Sequence, residues 1–139
     1  MPDPVTGEPT AGEIMSKPVL TCTPETSVSE AARRMAERNV GSIVVVDGDG
    51  RPVGILTERD MVRIVAQGLA PETPVEKVMT RGLVTASPDA PASRLLCTML
   101  EKGIRHIPVV DGEGRLLGIV SLRDLVRAEA AREQLCGGG

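Results

Sequence analysis

Apolar residues recur with a helical period at two places in the chain. The apolar positions within residues 28–35 follow the i, i+3, i+4, i+7 spacing of an amphipathic helix, and residues 92–99 repeat the same stripe. Ser27 and Glu30 match a capping box in front of the first stripe, and Pro91 suits the first turn of the second. The pattern therefore predicts two amphipathic helices of similar length.

Apolar runs rich in β-branched residues follow both helices. Each run ends in an Asp-Gly-acidic-Gly segment, residues 47–50 and 111–114, which is typical of a hairpin turn. Each half of the chain therefore predicts the order strand, helix, strand, strand, helix. In the first copy the strands lie at 19–21, 42–46 and 53–56, and the second helix lies at about 58–67. In the second copy the strands lie at 83–85, 107–110 and 116–120, and the second helix lies at about 122–135.

The two halves are copies of each other. A shift of 64 residues aligns Met15 with Met79 and Asp60 with Asp124, and the alignment needs no gap from Met15 to Arg63. This length of ungapped similarity indicates an internal duplication.

The duplication predicts how the chain is organised. One copy of about 55 residues is marginally stable alone, so we expect the copies to pack together about a pseudo-twofold axis. The predicted fold is α/β (α+β), with two βαββα repeats at residues 13–67 and 77–135. A linker at 68–76 joins them, and we expect flexible tails at 1–12 and 136–139.

The composition excludes several classes of partner. The chain has no Phe, Tyr or Trp, so nucleic-acid modules that stack bases on aromatic side chains are disfavoured, and a bound adenine must lie among aliphatic side chains. Sixteen basic against nineteen acidic residues give a net charge of −3, which disfavours direct binding to nucleic-acid phosphates or anionic lipid.

The cysteines indicate neither a zinc site nor a disulfide framework. Cys22, Cys97 and Cys136 are widely spaced and odd in number, and His106 is the sole histidine. Residues 1–10 lack the apolar run of a signal peptide, and no apolar stretch approaches the ~20 residues of a membrane span. We therefore expect a soluble cytoplasmic protein with reduced thiols and no metal.

A hydroxyl and a carboxylate recur at the start of the second helix in each copy. Thr57 precedes Asp60 by three residues, and Ser121 precedes Asp124 in the same way. One interpretation is a capping box worth ~1 kcal/mol. The other is a ligand site, in which helix N–H groups and the hydroxyl bind a phosphate while the carboxylate accepts from two ribose hydroxyls. The sequence alone leaves both interpretations open.

These segments resemble the CBS (cystathionine-β-synthase) domain family. Gly-Ile-Leu-Thr-Glu-Arg-Asp at 54–60 and Gly-Ile-Val-Ser-Leu-Arg-Asp at 118–124 are similar to its Gly-hydrophobic-x-Thr/Ser-x-x-Asp signature. Arg-His-Ile-Pro-Val-Val-Asp at 105–111 resembles its second-strand motif, and residues 14–15 and 78–79 resemble its opening. The resemblance covers residues 13–129 and implies a tandem pair, known as a Bateman module.

The resemblance also implies a function. It predicts a non-catalytic regulatory module in signal transduction that binds AMP, ADP, ATP or a related adenosyl ligand in the cleft between the repeats, without a covalent cofactor. It implies a flat homodimer and an unknown regulated protein as partners, with no membrane or direct nucleic-acid contact.

The family frame assigns further residues to two clefts. It implies that Arg105 and His106 face Thr57 and Asp60, and we expect that cleft to bind phosphorylated adenosine more tightly because of its extra cations. The second cleft combines Gly41 and Ser42 with Ser121 and Asp124. The remaining candidates are cations near the phosphates (Lys17, Arg59, Arg81, Arg123) and aliphatic side chains for adenine (Val19, Ile55, Leu83, Ile119), each of which also has an ordinary structural interpretation.

Two other functions stand beside this one. A structural dimerisation module with empty clefts would show no response to nucleotides. An enzyme is disfavoured because the chain has one histidine, no clustered metal ligands, no Ser-His-Asp grouping and no Walker loop.

Overall fold

The predicted helices and hairpins form in both halves of the chain. A computed structural model describes residues 7–137. In chain order the elements are α1 (Ala11–Ile14), β1 (Thr21–Cys22), α2 (Val28–Arg38), β2 (Ser42–Val46), β3 (Pro52–Thr57), α3 (Glu58–Ala66), a 3-10 turn (Val75–Lys77), α4 (Ala92–Lys102), β4 (His106–Val110), β5 (Leu116–Ser121) and α5 (Leu122–Gly137). The mixed α and β class predicted from the sequence is confirmed.

Local sequence signals set the ends of the long helices. The Ser27 hydroxyl accepts the Glu30 N–H at 3.1 Å and so caps α2. Helices α2 and α4 are each followed by a residue in the left-handed conformation, Asn39 with φ of 53° and the equivalent Gly103 with φ of 66°. Asn and Gly tolerate this conformation better than other residues, which explains why both helices stop there.

The strands within residues 7–137 form one three-stranded and one two-stranded sheet. β1 pairs parallel with β2, and β2 pairs antiparallel with β3, with Ser42 opposite Thr57. β4 pairs with β5. The strand predicted at 83–85 is not formed among the described residues; a single bridge between Ala86 and Val109 stands in its place.

The described chain divides into two compact units. The first unit contains residues 18–84 and 114–116, and the second contains residues 7–17, 85–113 and 117–137. Each has its own apolar core, with Ile43, Leu56 and Val75 fully buried in the first and Ile107 and Val109 in the second. The short segment in front of each repeat thus packs into the unit built from the other repeat.

The N-terminal segment differs from the predicted tail. The Ala11 N–H donates to the Ala90 carbonyl at 2.8 Å, the Gly12 N–H donates to Pro88 at 2.8 Å, and Ala11 is fully buried. Residues 8–12 are therefore packed, because they complete the second unit. Residues 1–6 of the predicted tail, and 138–139 of the C-terminal one, lie outside the described residues, whereas 136–137 belong to α5.

The predicted linker is also packed. The Val28 N–H donates to the Thr73 carbonyl at 2.9 Å, and the Val75 N–H donates to Thr26 at 2.8 Å. These bonds attach residues 73–75 to the start of α2, within the first unit. Among residues 7–137, no helix combines the length and apolarity needed to cross a membrane.

Candidate functional site

Thr57 and Asp60 bond to each other at the junction of β3 and α3. The Asp60 Oδ2 atom accepts the Thr57 N–H at 2.8 Å and the Thr57 hydroxyl at 3.2 Å, while Thr57 Oγ1 accepts the Asp60 N–H at 3.4 Å. Thr57 has the extended backbone of a helix N-cap, with φ −120° and ψ 173°. This reciprocal arrangement is a capping box, so the local interpretation made from the sequence is realised here.

Ser121 and Asp124 repeat this geometry at the junction of β5 and α5. Asp124 Oδ2 accepts the Ser121 N–H at 2.8 Å and its hydroxyl at 2.9 Å, and Ser121 Oγ accepts the Asp124 N–H at 3.2 Å. Both aspartates are buried, with 4% of Asp60 and 8% of Asp124 exposed. The duplication therefore places one buried carboxylate at a helix N-terminus in each unit.

The second carboxylate oxygens have different partners in the two units. The Oδ1 atom of Asp60 accepts from the Arg63 guanidinium one turn further along α3. The Oδ1 atom of Asp124 accepts from the Ser16 hydroxyl at 3.0 Å. A ribose hydroxyl would have to replace or share these partners, since Oδ2 is already bonded within each capping box.

The segment before each repeat reaches the signature of the other repeat. The Ser16 N–H donates to the Ile119 carbonyl at 2.8 Å, and the Ile119 N–H donates to the Ser16 carbonyl at 3.1 Å. In the other unit the Thr80 N–H donates to the Ile55 carbonyl at 2.9 Å, and the Ile55 N–H donates to the Thr80 carbonyl at 3.1 Å. Residues from both halves of the sequence therefore build each signature region.

Two methionines lie directly over the signature glycines. A Cβ atom on Gly54 would overlap the Met79 side chain, and one on Gly118 would overlap Met15. The absence of a side chain at these glycines lets the preceding segments approach the strands closely. Met79 packs against Gly54, and Met15 packs against Gly118, so each repeat contains the same methionine-glycine contact.

Two of the candidate cations each follow a residue that contacts a signature region. Lys17 follows Ser16, whose hydroxyl bonds Asp124, and Arg81 follows Thr80, which pairs with Ile55. Both side chains are exposed, and the Arg81 guanidinium donates to the Glu76 carbonyl at 2.9 Å.

Arg59 and Arg123 occupy the second residue of α3 and α5. Both are exposed, next to the helix N-termini where an anion is favoured. No group of three or more His, Cys, Asp or Glu side chains within residues 7–137 is placed to hold a metal ion.

The polar strand residues lie beside the signature of their own repeat. Ser42 is buried opposite Thr57 in the β2–β3 ladder, and the Gly41 carbonyl accepts the Glu58 N–H at 3.2 Å. In the second unit the Arg105 carbonyl accepts the Leu122 N–H at 2.9 Å.

Arg105 is exposed and His106 is half-buried at the start of β4. The pairing of both side chains with the Thr57–Asp60 pair stays a prediction, as does the pairing of Gly41 and Ser42 with Ser121 and Asp124.

The aliphatic candidates for an adenine pocket differ in exposure. Ile55 is buried, with 7% exposed, whereas Ile119, Val19 and Leu83 are half-buried. Val19 and Leu83 belong to the first unit together with Ile55.

Sequence reasoning missed Ser16 and Arg63, which contact the two aspartates. The 64-residue shift aligns Ser16 with Thr80, so that a hydroxyl residue precedes Lys17 in one copy and Arg81 in the other. This repeated hydroxyl could have marked Ser16 as a candidate. Both copies have an arginine three residues after the aspartate, Arg63 after Asp60 and Arg127 after Asp124. The sequence therefore could not predict that Arg63 contacts its aspartate while Arg127, in the described part of the chain, does not.

The comparisons with known proteins agree with this duplicated arrangement. The family model described as "CBS domain" matches residues 11–67 and 75–131. The chain is 42% identical over 116 residues to an uncharacterised 17.7 kDa protein of Acidianus ambivalens, which covers 84% of this chain and 70% of that protein. It spans 61%, 22% and 25% of three other, longer curated relatives.

Two similar solved structures contain adenosyl ligands. The CBS domain pair of protein MJ0100, in complex with 5′-methylthioadenosine and S-adenosyl-L-methionine, matches with a TM-score of 0.84 and 32% identity over 90% of this chain and 98% of that one. The CBS domain protein PAE2072 of Pyrobaculum aerophilum, complexed with AMP, matches with a TM-score of 0.79 and 30% identity over 83% and 88% of the two chains.

Proposed function

The chain belongs to the CBS domain family, and from this premise we propose that it is a non-catalytic regulatory module that binds an adenosine nucleotide or a related adenosyl compound. The observation that carries the proposal is the repeated hydroxyl and buried carboxylate at a helix N-terminus, formed by Thr57 with Asp60 and by Ser121 with Asp124. The adenosyl complexes of MJ0100 and PAE2072 support this ligand class.

In the proposed binding mode, different groups of the protein bind the ribose and the phosphates of the ligand. The aspartate Oδ1 atoms accept from the ribose hydroxyls, because a carboxylate offers acceptors to a diol. The helix N–H groups and the nearby cations attract the phosphates. The cations are Arg59 and Arg81 for the first pair and Lys17 and Arg123 for the second, with Arg105 and His106 assigned by the family resemblance.

The adenine ring is proposed to lie among aliphatic side chains, since the chain has no aromatic residue. Ile55, Val19, Leu83 and Ile119 are the candidates. The ligand regulates a partner if it binds one conformation of the protein more tightly than another. We propose that this partner is a protein.

We further propose a homodimer in the cytoplasm. Large apolar side chains are exposed on the helices of both units, including Val62 and Leu100, with 68% and 73% exposed. A second copy covering them would remove apolar surface from water. The free thiols of Cys22 and Cys97 suit a reducing compartment.

A dimerisation module with empty clefts is the second candidate. The complete capping boxes and the occupied Oδ1 atoms of Asp60 and Asp124 favour it, since they satisfy these side chains without a ligand. In that case the signature residues serve only the helix termini.

Differential scanning calorimetry separates the two functions. A ligand at about one hundred times its Kd stabilises the folded state by ~2.7 kcal/mol, so AMP, ADP, ATP, NAD, S-adenosylmethionine and 5′-methylthioadenosine are tested in turn. Asp60→Asn with Asp124→Asn should abolish the increase in melting temperature, while the exposed hairpin variant Asp49→Asn should keep it. No increase with any compound would favour the dimerisation module.

A further inference from the structure

Arg63 places a positive charge on the carboxylate oxygen to which the proposed binding mode assigns a ribose hydroxyl. The Arg63 guanidinium donates to Asp60 Oδ1, while Asp60 Oδ2 accepts the N–H and the hydroxyl of Thr57. Asp60 is buried and Arg63 is exposed. A ligand that approaches this carboxylate from solvent therefore meets the guanidinium first.

The guanidinium has donors left over after it has bonded Asp60. Arg63 bonds Asp60 through one terminal nitrogen, Nη2, whereas a guanidinium carries five N–H groups in all. An unmodified ribose would have to displace this bond to reach Oδ1. A phosphate group on the ribose can instead accept from the remaining N–H groups of Arg63 and leave the ion pair in place.

The Ser121–Asp124 pair carries a neutral hydroxyl where the Thr57–Asp60 pair carries a cation. Asp124 Oδ1 accepts from the Ser16 hydroxyl at 3.0 Å, and Arg127, the equivalent of Arg63, forms no ion pair with Asp124 within residues 7–137. A serine hydroxyl can rotate and can accept as well as donate, so it can bond a ribose hydroxyl in turn. This pair therefore suits a ribose with both hydroxyls free.

We propose, on the basis of the adenosyl-binding function above, that the Thr57–Asp60 pair selects an adenosine nucleotide that carries a phosphate on the 2′ or 3′ oxygen of its ribose. Arg63 is the residue that recognises this phosphate. The Ser121–Asp124 pair takes adenosyl compounds with an unmodified ribose, so the two copies of the duplication differ in ligand class.

Net charge at the start of α3 does not account for this selectivity. The negative charges of Glu58 and Asp60 balance the positive charges of Arg59 and Arg63. The attraction for a ribose phosphate therefore comes from the directed N–H groups of Arg63. The position of a phosphate on the ligand should matter more than the number of phosphates.

Isothermal titration calorimetry with three nucleotides tests the selectivity. Adenosine 3′,5′-bisphosphate, adenosine 2′,5′-bisphosphate and ADP each carry two phosphates, and only in ADP are both ribose hydroxyls free. At least one bisphosphate should bind the wild type about 5-fold or more tightly than ADP, the scale of a charge-assisted contact on a partly exposed arginine. The tighter isomer shows which ribose oxygen carries the phosphate.

The variant Arg63→Ala assigns the effect to its residue. It should weaken binding of the preferred bisphosphate by about 5-fold and should not weaken binding of ADP, which loses only a competitor for Asp60 Oδ1. Arg127→Ala is the matched control and should leave the ratio of the two affinities unchanged. Both arginines are exposed on helices and alanine is a good helix former, so the fold should tolerate both changes.

A second background isolates the first pair. Asp124→Asn removes the carboxylate of the other pair, and the preference for the bisphosphate should persist in it. If Asp124→Asn does not fold, the ratio of bisphosphate to ADP affinity in the wild type, Arg63→Ala and Arg127→Ala decides the question alone.

The remaining outcomes separate this proposal from the function on which it rests. Equal affinities for ADP and both bisphosphates, or equal effects of Arg63→Ala on all three, would overturn the ribose-phosphate selectivity while the adenosyl function stands. An equal loss in Arg127→Ala would overturn the assignment to Arg63. No binding of these nucleotides, AMP or S-adenosylmethionine would overturn the adenosyl function itself.

Discussion

The Arg63 guanidinium donates to the Oδ1 atom of Asp60, one turn away on α3. The side chain of Asp60 is 6% exposed and that of Arg63 is 59% exposed, so the arginine can leave while the carboxylate stays in place. Arg127 aligns with Arg63, but among the described residues it forms no ion pair with Asp124; Ser16 bonds Asp124 there instead.

Arg63→Ala should therefore increase nucleotide affinity at the Thr57–Asp60 pair. A ribose hydroxyl would no longer compete with the guanidinium for Oδ1, and the gain should be about 2- to 5-fold, the scale of a partly exposed ion pair. Isothermal titration calorimetry measures it, with Arg127→Ala as the matched control that should not change affinity. Weaker binding by Arg63→Ala would mean that Arg63 contacts the ligand itself.

Gly54→Ala should destabilise the protein. The new methyl group would overlap the Met79 sulfur and Cγ, so side chain and strand must shift at a cost of roughly 1–3 kcal/mol. Urea unfolding followed by far-UV circular dichroism measures the change. Gly48→Ala is the control, because its Cβ would meet no atom within 4 Å, and equal losses in the two variants would contradict the contact.

Ser16→Ala should destabilise the second unit through a residue far from it in sequence. The variant removes the 3.0 Å hydrogen bond to Asp124 Oδ1 at a cost of ~1 kcal/mol. Thr80→Ala is the equivalent change in the other copy and should cost less, since no hydrogen bond from the Thr80 side chain to Asp60 occurs among the described residues. Equal free energies of unfolding for the wild type and Ser16→Ala would contradict this role.

Cys97 should react with a maleimide much faster than Cys22 in the folded protein. Burial raises the pKa of the Cys22 thiol, against the weaker opposing effects of the Arg34 charge and the Thr26 hydroxyl, so less thiolate is present at pH 8. Cys97 is exposed on α4. Peptide mapping by mass spectrometry before and after urea identifies the modified residues; rapid labelling of native Cys22 would contradict its burial.

The types of most elements could be predicted from the sequence. The apolar stripe of residues 28–35 and the hairpin turn after Val46 depend on neighbours within one or two turns, and both appear as predicted. Of the capping box predicted at Ser27, the hydroxyl accepts the Glu30 N–H, whereas the Glu30 carboxylate accepts from Arg33 and Arg34. Both capping boxes were also anticipated, as one of two interpretations of the Thr57–Asp60 and Ser121–Asp124 spacings.

Two local predictions differed from the structure. Residues 83–85 form no strand, because the second sheet acquires only the Ala86–Val109 bridge at that edge. Residues 8–12 were predicted to belong to a tail, because residues 1–10 are rich in Pro, Gly and acidic residues, but their backbone groups bond to residues 88–92 and the Glu8 carboxylate accepts the Ser93 N–H. Composition carried no information about partners so distant in the chain.

Two copies of one unit, each with a hydroxyl and a carboxylate at the same helix start, could be recognised in the sequence. Periodicity and capping are local properties, so they are visible in the order of the residues. The three-dimensional structure was needed to show that Met15 and Ser16 complete the signature of the second copy while Met79 and Thr80 complete that of the first. Ser16 and Asp124 are 108 residues apart. Such a contact forms because the backbone of one segment can approach a strand closely where that strand has a glycine. This is a property of tertiary packing, which no local sequence pattern encodes.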